Sequence, residues 1–114
     1  MSIFSTLFGT GKEKSGKIEI LNQVDFAAAI ADKKVQLIDV RTPNEYGNGH
    51  IKNAVNVDFF NAAGFEGYCE KMSKDKPVYL YCRSGARSRG AARKLIGMGF
   101  EKVIDLKGGY MSWK

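Results

Sequence analysis

A chain of 114 residues with 44% hydrophobic and 26% charged residues has the size and composition of one soluble domain with its own core. Its net charge of +6 fits an ordinary solvated surface, or one that steers small anions or an acidic carrier protein. No apolar run is long enough to span a membrane, no arginine stripe interleaved with aromatics points to nucleic acid, and two cysteines are too few for a disulfide framework. The N-terminus has an apolar stretch too short for a secretory signal and no basic region before it, so a reduced, cytoplasmic setting is expected.

Residues 1–16 read as a flexible tail, apolar from Met1 to Phe8 and then rich in Gly, Lys and Ser. The other reading of the tail is a short apolar anchor that packs on the domain or on a partner. The domain proper is expected over 17–114. Ile18-Glu19-Ile20 alternates like a first strand. Asn22 is placed to cap a helix over 23–31, with Asp25 three residues on, and Val24, Ala27, Ala28 and Ala31 form its apolar face. Residues 35–40 form an apolar strand apart from Gln36 and Asp39. Thr42-Pro43-Asn44-Glu45 is a capping box with proline at the first helical position. Residues 54–57 read as a third strand.

A short helix over 65–72 holds Cys69, read either as a small, half-buried hydrophobe or as a resolving thiol. Residues 77–81 are apolar on both faces, as a central parallel strand should be. The pattern over 88–98 is helical, with Ala91, Ala92, Leu95, Ile96 and Met98 inward and Gly97 or Gly99 ending the helix. Residues 103–106 form a fifth strand. Strands alternating with helices predict an α/β fold: a five-stranded, mostly parallel sheet with helices on both faces. In such sheets, sites form at the carboxyl ends of strands. Cys82 lies at one such end, and Asp39 and Arg41 lie at another.

Cys82 carries the chemistry. It follows a buried strand directly and leads through Arg83-Ser84-Gly85-Ala86-Arg87 into the helix that Ser88 is expected to open or cap. Free N–H groups and the positive end of a helix dipole gather at such a junction and favour an anion, here a thiolate. Gly85 lets the backbone curl with its amides inward. Arg83 and Arg87 offer planar forks of donors for an oxyanion, although Arg87 fits equally well as an ion pair that braces the loop. The spacing is Cys-x4-Arg. Cysteine-dependent phosphatases and arsenate reductases use Cys-x5-Arg, whose longer loop wraps a tetrahedral oxyanion. A loop one residue shorter suits a smaller group, such as the outer sulfur of a persulfide.

At these residues the chain resembles the single-domain rhodanese family of sulfurtransferases. The active loop of that family is a cysteine plus five residues, similar to Cys82-Arg83-Ser84-Gly85-Ala86-Arg87. The resemblance extends to Leu37-Ile38-Asp39-Val40-Arg41, Glu45-Tyr46, Gly49-His50-Ile51, Ala54-Val55-Asn56-Val57, and Leu106-Lys107-Gly108-Gly109-Tyr110 with Trp113. It implies a rhodanese-like three-layer fold and an enzyme of the thiosulfate sulfurtransferase type. In that reading Cys82 carries sulfane sulfur from thiosulfate or polysulfide to cyanide or a thiol, with no metal and no cofactor. Arg83, Ser84, Gly85, Ala86, Arg87 and Ser88 form its substrate loop, and Asp39, Arg41 and His50 support it. The alternative is a persulfide carrier or interaction module that serves a sulfur-relay protein and turns over small donors poorly.

Three supporting roles stay open on sequence alone. Asp39 is read as bonding loop amides. Arg41 is read as pairing with Glu45, or as a second anion contact on the rim. His50, the one histidine, matches a residue that orders a loop in family members, and a base for Cys82 is the other reading. Gly108-Gly109 reads as a turn beside the site, and Trp113 as an anchor in the core or on its rim.

Overall fold

The computed structural model describes residues 16–113. The segment read as a tail or anchor, apart from Gly16, lies outside the described residues, as does Lys114. Among the described residues five strands and four helices alternate: β1 (Lys17–Leu21), α1 (Gln23–Ala29), β2 (Gln36–Asp39), α2 (Pro43–Gly47), β3 (Val55–Asn56), α3 (Ala62–Glu70), β4 (Val78–Tyr81), α4 (Ala86–Gly97) and β5 (Lys102–Leu106). A 3-10 turn, Tyr110–Ser112, follows. The strands make one sheet in the order β1-β5-β4-β2-β3, and every neighbouring pair is parallel. None of the helices among the described residues is long and apolar enough to cross a membrane.

A parallel sheet has to be covered on both faces, and the two-residue period of the strands supplies an apolar set for each. Val78 and Leu80 of β4 join Ile38 and Val103 in a cluster with Phe65 and Cys69 of α3 and Ala92 and Leu95 of α4. Tyr81 of the same strand points to the opposite face, where Leu37, Ile104 and Leu106 meet Phe26 of α1. Trp113 packs at the margin of this second cluster, edge-on to Phe26 with ring centroids 6.2 Å apart. β4 lies between β5 and β2, so the chain leaves the middle of the sheet at Cys82.

Local signals account for most element starts. The Asn22 side chain accepts from Asp25 N at 2.9 Å. Thr42 and Glu45 close the expected capping box at the start of α2. α4 ends with Phe100 N donating to Leu95 O at 3.1 Å, which seats the Phe100 ring in the core.

Several details depart from the sequence reading, among them the bounds of α1 and α3, which span Gln23–Ala29 and Ala62–Glu70 rather than 23–31 and 65–72. Two strands are shorter than expected, because β2 spans only Gln36–Asp39 and β3 only Val55–Asn56. The apolar face of α1 is not the one read from its alanines. Phe26 is fully buried while Val24 is 75% exposed, because the larger ring sets the helix rotation. α4 begins at Ala86, two residues before Ser88. Its N-cap is Gly85, with φ at +114° and no side-chain cap, so Ser88 sits buried inside the first turn.

β5 carries one residue that weakens the fold. Asp105 is 3% exposed, and desolvation pushes its carboxyl up to about 6, with Ser88 and the charge of Arg89 opposing the rise. For an acid raised in this way, the folded state holds its proton more tightly than the unfolded chain. The stabilisation is therefore full below the ordinary aspartate value and is lost as pH rises to about 6. Asp105→Asn should stabilise the protein by roughly 2–3 kcal/mol at pH 7.5 and by much less at pH 4. Urea denaturation at the two pH values checks this.

Candidate active site

Cys82 is 1% exposed and sits at the base of the loop between β4 and α4. Gly85 N donates to its Sγ at 2.9 Å. The left-handed backbone at Gly85 turns that amide inward, a conformation that side-chain-bearing residues rarely adopt. The first helical bond of α4 runs from Arg89 N to Gly85 O, which leaves the N–H groups of Ala86, Arg87 and Ser88 without an intrahelical acceptor. The sulfur thus rests against the positive end of a twelve-residue helix. Ser88 Oγ lies 3.5 Å from Sγ and donates to Gly85 O at 3.1 Å. Arg83, Ser84 and Ala86 are exposed on the loop's outer side.

The C-terminal turn holds this loop from outside. Tyr110 N donates to Cys82 O at 2.8 Å, and Met111 N donates to Arg83 O at 3.0 Å. The two backbones meet at Gly109, where a Cβ would lie 2.5 Å from Arg83 O and 2.7 Å from Cys82 O. The Gly-Gly turn expected beside the site is therefore a clamp, and close approach of two main chains explains the second glycine.

The ion pairs differ from the expected set. Arg41 does not pair with Glu45. Its guanidinium turns back on Asp39, with Nη2 2.7 Å from Oδ2 and Nε 3.0 Å from Oδ1, and donates to Gly49 O at 2.7 Å. It also lies over the Tyr110 ring, 4.3 Å from the centroid. Asp39 accepts one loop amide, Arg41 N, at 2.9 Å. Glu45 instead receives a two-pronged grip from Arg87, at 2.7 and 3.1 Å. That hydrogen bond, with help from Thr42, holds the Glu45 carboxyl down at about 2 despite partial desolvation. The structure thus places Arg87 in the ion pair of its two sequence readings, fastening α4 to α2. Glu45→Gln should cost about 1 kcal/mol at pH 7. The effect should fade as pH falls from the ordinary glutamate value toward 2, where wild type also loses the charge. Thermal melts across that range check it.

His50 is exposed, stacks on Tyr46 with ring centroids 3.7 Å apart, and donates from Nδ1 to Tyr46 O at 2.9 Å. Among the described residues it has no hydrogen bond to Cys82 or its loop. Cys69 is fully buried rather than half-buried, and burial pushes its thiol up to about 11. The two thiols share one apolar cluster, and both are free.

Beside the loop opens a cleft of about 260 Å³ whose lining includes Arg41, Arg83, Asn48, Tyr110 and Met111. Neither cysteine lines this cleft, nor those of about 250 and 310 Å³ elsewhere, so Arg83 is what joins the cleft to the Cys82 loop. Sequence reading missed Tyr110 and Met111 as loop holders. It also missed Asn56, whose amide donates to the carbonyls of Asp39 and Arg41 at 3.0 and 2.9 Å. Only the Gly-Gly pair hinted at the first two, and no local signal marked the third.

The family model described as "Rhodanese-like domain" matches residues 22–114. A protein named thiosulfate sulfurtransferase GlpE from Shewanella oneidensis is 38% identical over 81 residues, 71% of this chain and 77% of that protein. Bacillus subtilis YqhL, described as uncharacterized, is 38% identical over 96 residues, 84% of this chain and 72% of that protein. The crystal structure of a rhodanese-related protein from Thermoplasma volcanium superposes with a TM-score of 0.70 at 28% identity, covering 83% of this chain and 89% of that one. Fold, loop and relatives agree over the same stretch of sequence, and the chain belongs to the rhodanese-like domain family.

Proposed function

We propose that this protein is a sulfurtransferase that moves a sulfane sulfur through a persulfide on Cys82. The observation that carries the reading is the Gly85 amide on Sγ at 2.9 Å, at the open N-terminus of α4. Donors aimed at a sulfur anion stabilise both states of a double displacement, the thiolate and the persulfide. The Cys82 thiolate attacks the outer sulfur of thiosulfate. The new S–S bond forms as the old one breaks, and sulfite leaves with the electron pair. Cyanide or a thiolate then attacks the outer sulfur, and Cys82 departs as thiolate. No net redox change occurs.

Arg83, exposed beside the cleft, is the group for the sulfonate end of a donor. Ser84 and Ala86 complete the loop backbone around it. Arg87 acts on the reaction by fixing α4, and Asp39 and Arg41 by fixing the neighbouring strand end. His50 orders the turn after α2. A reducing, cytoplasmic setting fits two free thiols.

A carrier that exchanges sulfur with a relay protein is the second reading. It is favoured by Phe60 and Met111, 68% and 62% exposed: Phe60 lies under Arg87 and Met111 beside Arg83. Steady-state thiocyanate formation from thiosulfate and cyanide separates the two. The enzyme reading predicts turnover with ping-pong kinetics. Sulfur loading from a persulfidated protein, without turnover of small donors, would replace it by the carrier.

A further inference from the structure

β5 carries a carboxylate on the face where its other inward residue, Val103, is apolar. Asp105 Oδ1 is buried and has no hydrogen-bond partner among the described residues. No ion pair with Asp105 occurs among them either. A buried acid in this state costs stability, so its position calls for a reason. The in-register neighbours are apolar on both sides, Ile20 of β1 and Leu80 of β4. From α4, Ser88 presents a hydroxyl and Arg89 a positive charge. Ser88 is fully buried and is the same residue that lies 3.5 Å from Cys82 Sγ. One hydroxyl therefore stands between a carboxyl with one unpartnered oxygen and the sulfur.

We propose that Asp105 is a positioning residue for Cys82 and acts through Ser88 according to its own protonation. With Asp105 protonated, its O–H donates to Ser88 Oγ, and the Ser88 O–H turns from Gly85 O to the thiolate. With Asp105 ionised, the carboxylate accepts a hydrogen bond from the Ser88 O–H, the sulfur loses that donor, and a second negative charge stands behind it. One proton exchanges between Asp105 and solvent, and no bond to sulfur is made or broken. Burial pushes the Asp105 carboxyl up to about 6, which places the change within the range of ordinary assays. The inference rests on the reading of Cys82 as the nucleophile.

The test is the rate at which iodoacetamide alkylates Cys82 in the full chain, read by peptide mapping at pH 5 and pH 7.5. Asp105→Asn keeps a donor for Ser88 and carries no charge. It should react about 3- to 10-fold faster than wild type at pH 7.5 and within about twofold at pH 5. Asp105→Leu removes charge and donor together and should gain less. In a Ser88→Ala background the gain from Asp105→Asn should shrink to that of Asp105→Leu, because only the removal of charge is left. Equal rates for Asp105→Asn and wild type at pH 7.5 would overturn the proposal. So would a gain that Ser88→Ala leaves undiminished, or one that Asp105→Leu reproduces in full. Sulfur uptake by wild type, followed separately by mass, fails only if the sulfur-transfer reading itself fails.

Discussion

Cys82→Ser should abolish sulfur uptake and lower turnover by at least about 10³-fold, with the fold intact. A serine hydroxyl at this position keeps its proton at neutral pH and forms no persulfide. It does keep the hydrogen bond from Gly85 N and the neighbourhood of Ser88, so nothing polar is stranded. Its stability should stay within about 1 kcal/mol of wild type. Cys69→Ser should do the reverse. Cys69 is fully buried among apolar side chains of α3 and α4, and its thiol is pushed up to about 11. A hydroxyl there gains no designed partner and should cost about 1–3 kcal/mol, while turnover per folded molecule is kept. Urea denaturation and thiocyanate formation, measured on both variants, give this crossed pattern if the two thiols are divided as described. Loss of turnover in Cys69→Ser at full stability would give Cys69 a part in the transfer.

Gly109→Ala should be the small substitution most damaging to the Cys82 loop outside Cys82 itself. Its Cβ would meet Arg83 O at 2.5 Å, Arg83 C at 2.6 Å and Cys82 O at 2.7 Å, all of them main-chain atoms. No rotamer change relieves such contacts, so the turn and the loop must separate. Separation breaks the bonds from Tyr110 N to Cys82 O and from Met111 N to Arg83 O. The backbone at Gly109 also has φ at +64°, which alanine adopts at a cost. Together these should cost roughly 3–5 kcal/mol. Because the Gly85 amide is aimed through the same loop, kcat/KM should fall about 10- to 100-fold as well. Gly108→Ala is the control. It also has a positive φ, but its Cβ would meet only the movable side chain of Ser112. Its loss should be smaller, with near-normal kcat/KM. Wild-type stability in Gly109→Ala would mean that the turn does not clamp the loop.

Much of this arrangement is legible in the sequence, for a local reason. The Asn22 cap, the Thr42 capping box and the strand–cysteine–glycine–helix junction each depend on residues within a few positions of one another. What escaped depends on distance or on competition. Glu45 and Arg87 are 42 residues apart, so nothing local marks them as partners, whereas Arg41 stands near both Asp39 and Glu45. The choice of Asp39 follows from burial of the strand end, which sequence does not show. The face of α1 was misread because alanines tolerate either environment, while one phenylalanine does not. The start of α4 was placed late because Gly85 caps it with backbone alone, and the familiar side-chain signal at Ser88 is used inside the helix. Asp105 sits among apolar strand residues, and only the three-dimensional neighbourhood reveals that Ser88 and Cys82 lie beyond it.

The most direct measurement is intact mass after incubation with thiosulfate, followed by mapping of the modified peptide. The expected result is a gain of one sulfur atom per chain, located on Cys82, removed by cyanide and absent in Cys82→Ser. Sulfur located on Cys69 would contradict it. So would no gain from thiosulfate, polysulfide or a persulfidated protein while Cys82 still alkylates rapidly at neutral pH.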